Sequence, residues 1–220
     1  MVTLNWLIPL ALGFLPAIAW LIFFLLEDRI HPEPKKMVLK VFIAGILSAT
    51  AAAAIQIILQ DTAFTRFNIQ DTSKSSFLIL SFIEEFVKFA AVYVAVKGSK
   101  YLDEPVDYMI YMITGALGFS AIENTLFLLQ KNSNIIFEII VLRAVGATLL
   151  HALASGFVGF YWAKRKLLLG LVIAVLLHAG FNYLIFKFSM APVYATAILI
   201  FASFFIFYDF DIIKEDDGKG

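Results

Sequence analysis

Cysteine is absent from this 220-residue chain. Disulfides, thiolate metal sites and a cysteine nucleophile are thereby excluded, while the compartment is left open. Charge is scarce: 15% of residues are Asp, Glu, Lys or Arg, against ~25% in an ordinary soluble domain. It is also balanced, with 17 basic and 17 acidic residues, so no basic field points to nucleic acid. The N-terminus lacks the basic start and small-residue cleavage site of a signal peptide, and residues 4–26 read as a retained first span. Internal repeats and low-complexity tracts are missing too. What is present is apolar: 61% of the chain is hydrophobic, where soluble domains have ~45–50%. The class that follows is a multi-pass integral membrane protein, with the lipid bilayer as its first partner.

Seven hydrophobic segments can be read, at about 4–26, 37–59, 76–96, 106–129, 135–162, 167–187 and 191–208. Each is near the ~20 residues that cross ~30 Å of hydrocarbon. Strands of a barrel would be ~10 residues long with alternating polarity, so the expected fold is an all-α transmembrane bundle of about seven spans. It forms one domain, 1–208, with a core at 76–187 and an acidic tail at 209–220. Polar loops are expected at 61–75 and 97–105. Connections on the N-terminal side hold Arg66, Lys74, Lys131 and Lys187, and the other side holds eleven basic residues, Lys164, Arg165 and Lys166 among them. The excess of Lys and Arg marks the cytoplasmic side. The N-terminus is therefore expected outside, and the C-terminal tail in the cytoplasm of a prokaryotic plasma membrane.

Polar residues inside the spans are expensive, about 2.5–3.5 kcal/mol for a charge at the centre on insertion scales. They concentrate in four consecutive segments. The third has Glu84, Glu85 and Lys88; the fourth Glu123 and Asn124; the fifth Glu138, Arg143, His151 and Ser155; the sixth His178 and Asn182. The other spans have little comparable, although Gln56 sits late in the second. Residues four apart share a helix face, which makes one polar stripe each of Glu84 with Lys88, His151 with Ser155, and His178 with Asn182. Adjacent helical residues point ~100° apart, so Glu84 and Glu85 cannot both face one spot. One of them pairs with Lys88, and the spacing allows either. Phe82, Phe86 and Phe89 read as packing residues, and Arg143 with Glu138 reads as an orienting pair.

Two routes to an activated water are open. A zinc ion could be held by Glu123, His151 and His178, since two His and a Glu are a known catalytic set, with Glu84 or Glu85 as general base. The His-Glu-x-x-His helix signature is absent. The metal-free route uses a desolvated glutamate as base and His or Asn as oxyanion partner. A proton-coupled transporter or channel would use the same groups.

The ordered set Glu84-Glu85-x-x-Lys88, Phe119-x-x-x-Glu123, His151-x-x-x-Ser155 and His178-x-x-x-Asn182 resembles the PrsW family of intramembrane proteases. The wider superfamily includes CAAX prenyl endopeptidases and non-catalytic immunity-type proteins. Those typically carry Glu-Glu-x-x-x-Arg and Phe-x-x-x-His, so Lys88 and Glu123 favour the PrsW branch. The resemblance implies an endopeptidase that cuts a membrane-anchored protein substrate. In family members this is a single-span anti-sigma factor, cut on the outer side as the first step of a cascade. By resemblance the catalytic residues are Glu84, Glu85, Glu123, His151, His178 and Asn182, with Lys88 orienting the glutamate pair.

Overall fold

The computed structural model describes residues 6–28, 31–130, 140, 143–187 and 191–217. These are helical, with no strand among them. A helix occupies each of the seven expected segments: α1 (Leu7–Leu25), α2 (Lys35–Leu59), α3 (Lys74–Val96), α4 (Pro105–Leu129), α5 (Ala147–Ala163), α6 (Leu167–Lys187) and α7 (Ala191–Asp217). Six helices are long and apolar enough to cross a membrane by length and composition. The other, α3, is 23 residues long and carries Glu84, Glu85 and Lys88 at its centre.

The helix boundaries follow from local chemistry. Ser73 caps α3 by accepting the backbone N–H of Ser76 at 3.1 Å. The same helix ends where Gly98 turns left-handed (φ +72°), a conformation glycine adopts without penalty. Helix α4 opens on a reciprocal capping box between Glu104 and Asp107, with Pro105 in its first turn.

Three boundaries differ from expectation. The polar stretch after α2 continues as a π turn (Gln60–Phe64) and a short helical turn (Thr65–Phe67) before left-handed Asn68 stops it. Thr62 and Thr65 donate to the carbonyls of Ile58 (2.6 Å) and Gln60 (3.1 Å), so these polar residues stay inside a helix. The last helix runs on from Tyr208 to Asp217, because Phe210 and Ile213 are fully buried and Lys214 pairs with Glu27 at 2.9 Å. The fifth helical segment is broken by a turn at Gly146. Glu138 lies outside the described residues.

Helix α4 is the axis of the bundle. It packs on α1, α2, α3, α5 and α7, and 72% of its membrane window is buried, against 28% for α1. The outer helices point large apolar side chains outward, such as Leu168 (76% exposed) and Val94 (73%), as lipid contact requires. Close packing on α4 depends on small residues. A Cβ at Gly45 would stand 1.9 Å from the Gly115 carbonyl oxygen, and one at Gly118 would stand 2.1 Å from that of Phe42. Both obstacles are backbone. Gly118→Val should therefore push α2 off α4 and cost at least the ~1–3 kcal/mol typical of overpacking. Gly180, whose Cβ would meet nothing within 4 Å, is the control: thermal unfolding in detergent should show a lowered midpoint for Gly118→Val and none for Gly180→Ala.

Candidate active site

The site is assembled where α3, α4, α5 and α6 meet. Glu85 and Lys88, both 0% exposed, form an ion pair of 2.6 Å one turn apart on α3. His178 Nδ1 from α6 lies 2.7 Å from the same Glu85 oxygen. Of the two pairings that the spacing allowed, Lys88 takes Glu85. Lys88 Nζ also lies 3.0 Å from His151 Nδ1 and 5.1 Å from the Phe119 ring centre. An ammonium has no acceptor. His151 Nδ1 must therefore accept from Lys88, which leaves its proton on Nε2, aimed at Glu123 Oε2 2.5 Å away.

Glu123 is held from its other side. Arg143 Nη2 donates to Glu123 Oε1 at 2.7 Å, and Arg143 Nε donates to Asn124 Oδ1 at 2.6 Å. Asn124 Nδ2 in turn donates to Thr148 Oγ1 at 2.9 Å. The neighbouring glutamates are thus treated differently. Glu85 is sealed and paired, while Glu84 points elsewhere: its Oε1 accepts from Gln56 Nε2 at 2.8 Å. Glu84 Oε2 is buried without a hydrogen-bond partner, 3.6 Å from His178 Nε2. Glu85 Oε2 is likewise unpartnered, as is the hydroxyl of Ser155.

Five of the expected catalytic residues, Glu84, Glu85, Glu123, His151 and His178, come together with Lys88. Asn182 is half-buried one turn beyond His178 and makes no hydrogen bond among the described residues. Phe82 (53% exposed) and Phe86 (49%) do not pack inward; they stack on one another at 5.9 Å on the outer face of α3. Only Phe89 packs inward, edge-on to Trp162. Two site members escaped the sequence reading. Arg143 reads in the sequence as an orienting pair with Glu138, which lies outside the described residues; in the fold it reaches across to Glu123 and Asn124 on α4. Gln56 was noted without a role. The signal for each was its isolation, an arginine and an amide in otherwise apolar runs.

Glu84, not Glu123, groups with His151 and His178, each offering one ligand atom within 4.8 Å of the others. Glu123 is instead committed to Arg143 and His151. The set fits a divalent cation in donor type, and the orphaned Glu84 oxygen is the kind of buried atom that calls for a partner. Binding would require His151 to exchange its present contacts for the ion. Three carboxylates against Lys88 and Arg143 leave room for one more positive charge.

A family model described as PrsW family intramembrane metalloprotease matches residues 33–208. This chain belongs to the PrsW family. Protease PrsW of Geobacillus kaustophilus is 34% identical over 154 residues, which cover 70% of this chain and 65% of that protein. Protease PrsW of Bacillus subtilis is 29% identical over 204 residues, covering 88% and 89%, and that of Shouchella clausii is 28% identical over 190 residues, covering 82% and 84%. No solved structure matches. Membership and the apolar helices make the chain a multi-pass membrane protein of a bacterial peptidase family, an intramembrane protease.

The ion pair at the centre sets a stability expectation. Lys88→Met leaves Glu85 as an uncompensated buried charge and should cost roughly 3–5 kcal/mol. The double variant Glu85→Gln with Lys88→Met removes both charges and should recover part of that loss. Denaturant unfolding in mixed micelles measures both, and a single variant no weaker than the double would refute the arrangement.

Proposed function

We propose that this PrsW-family chain hydrolyses a peptide bond in a membrane-tethered protein, with Glu84 as the carboxylate that activates water. The observation that carries this reading is the division between adjacent glutamates. Lys88 and His178 Nδ1 both lie on Glu85 Oε1 at the sealed end of the cluster, whereas Glu84 sets its free buried oxygen opposite His178 Nε2.

In this mechanism Glu84 Oε2 takes a proton from the water whose oxygen bonds to the scissile carbonyl carbon, and returns that proton to the leaving amine as the C–N bond breaks, a role worth about 10²–10⁴-fold in rate. The Glu85–Lys88 pair fixes His178 through Nδ1, so that Nε2 faces Glu84. His151, held between Lys88 and Glu123, offers its Nε2 proton toward charge developing on the scissile carbonyl. Arg143 holds Glu123, whose side chain is 37% exposed and forms the accessible edge of the cluster. Asn182 is assigned to the substrate backbone. The bound segment must be extended or unwound at the cut, because a helix keeps its carbonyls in internal hydrogen bonds.

A divalent cation, if present, would be held by Glu84, His151 and His178. It would supply Lewis-acid polarisation and a more acidic water. Its specific support is the 4.8 Å convergence of these three residues. By family resemblance the substrate class is a single-span anti-sigma factor, cut in the outer half of the bilayer.

Proton transport would need titratable groups running to both faces. Toward the Asp107 end, the interior next to the cluster is filled by Met112, Ile113, Leu117, Ala154 and Val158, all 0% exposed. That favours a closed-ended hydrolytic site over a path.

Glu84→Gln should lower cleavage of a co-expressed single-span substrate by at least about 100-fold while leaving the thermal midpoint near wild type. His178→Ala should also abolish cleavage. Cleavage by Glu84→Gln at the wild-type rate would end the proposal. Metal content of the purified chain, read against activity with and without chelator, separates the two chemistries. One bound equivalent lost together with activity is expected if Glu84, His151 and His178 hold an ion; full activity of metal-free protein would leave water activation to Glu84 alone.

A further inference from the structure

About 24 Å along α4 from Glu123, a second acidic group gathers at the far end of the bundle. Asp28 and Glu33 from the α1–α2 connection and Asp107 from the first turn of α4 each place one oxygen within 4.8 Å of the others. Asp28 is 5% exposed and Asp107 1%. Two of the three are engaged locally. Asp107 Oδ2 accepts the backbone N–H groups of Asp103 (3.0 Å) and Glu104 (2.7 Å), and Glu33 Oε2 accepts from the Tyr111 hydroxyl.

Asp28 is different. Its Oδ2 is buried and has no hydrogen-bond partner, so a desolvated carboxylate oxygen is turned into a cluster of carboxylates. Such an atom is costly unless something supplies positive charge. Among the described residues, the neighbouring cations lie on other acids: Lys214 on Glu27 at 2.9 Å, and His31 Nδ1 on Glu104 at 3.0 Å. The donors are oxygen throughout, with no histidine among them. Oxygens held at 2.3–2.6 Å from one calcium-sized ion lie within about 5 Å of one another, a bound these three meet.

We propose that Asp28, Glu33 and Asp107 form a second, structural site for a hard divalent cation of the calcium or magnesium class, which ties the α1–α2 connection to the start of α4. Three carboxylates with oxygens this close resist ionising together without a counter-cation. Oxygen ligands also separate this site from the nitrogen-containing set at Glu84, His151 and His178.

The full chain, purified in detergent and stripped with chelator, tests this with calcium and magnesium added separately. One or both ions at about 1 mM should raise the thermal midpoint by about 3 °C or more and bind at one equivalent by equilibrium dialysis. The double variant Glu84→Gln with His178→Ala should keep both effects, and Asp28→Asn should lose both. Should Asp28→Asn fail to fold, Glu33→Gln at the half-exposed member carries the same expectation. The site is overturned if neither ion binds, if the Asp28 or Glu33 variant binds like wild type, or if the Glu84/His178 variant abolishes binding.

Discussion

The buried pair between Glu85 and Lys88 is the constraint on which the rest of the site depends. Two opposite charges with no solvent exposure are tolerable only when each finds further partners. Lys88 needs more than one carboxylate oxygen, and His151 Nδ1 supplies the acceptor. Glu85 needs more than one donor, and His178 supplies it. The pair therefore draws α5 and α6 to α3 and sets the orientation of both imidazoles. The proton of His151 is directed to Glu123, which brings in α4, and Arg143 closes the chain of contacts at Asn124 and Thr148. Most polar atoms in this chain of contacts are spent on holding another; of the unpartnered ones at Glu84, Glu85 and Ser155, the Glu84 oxygen is the one set opposite His178 Nε2.

Such a network forms only if the helices come close. Side chains of the length of Glu and Lys can meet between four helices when the backbones around them are near contact, and α4 provides this through its small residues. At Gly118 and Gly45 the neighbouring carbonyl occupies the space a Cβ would fill. The approach of α2 to α4 also places Gln56 beside Glu84, since α2 lies against both α3 and α4. A small-residue stripe on α4 thus governs whether Gln56 comes beside Glu84.

The helical plan was legible because membrane spans are written in length and apolarity, and both survive without tertiary information. The ends were less so. A loop at 61–75 was expected from polarity, but threonine hydroxyls can satisfy helix carbonyls and let polar residues stay helical. The tail after Tyr208 reads as acidic, while the residues that keep it helical, Phe210 and Ile213, are apolar and spaced to face the bundle. Within the site, residue identity was visible and partnership was not. Spacing on α3 allowed Lys88 to meet Glu84 or Glu85, and only the positions of α5 and α6 decide it. Arg143 could be matched by sequence only to an acid nearby on its own segment; the acid it binds is twenty residues away on α4. Gln56 carried no spacing signal, because its partner is on another helix. For the same reason a metal set drawn from residue types named Glu123, where the fold groups Glu84 with the two histidines.

The two acidic clusters illustrate how one composition supports two chemistries. Near Glu84, carboxylates are interleaved with lysine, arginine and two histidines. Most negative charge is neutralised in place, and what is left is one reactive oxygen beside an imidazole. Near Asp28, carboxylates meet one another, hydroxyl and backbone N–H groups, and among the described residues Lys214 and His31 are paired with Glu27 and Glu104. The first environment keeps proton acceptors and donors in register, which is what hydrolysis requires. The second offers hard oxygen ligands without histidine, which suits a fixed cation. Both clusters touch α4, the most buried helix, one near each end. A cation at the Asp28 end would brace the start of the helix whose other end carries Glu123. The α1–α2 connection would then be pinned at the point where α2 begins its run toward Gln56 and Glu84. Such a brace would reach the site through α4, which carries Glu123, and through α2, whose Gln56 donates to Glu84, without any contact between the two sites.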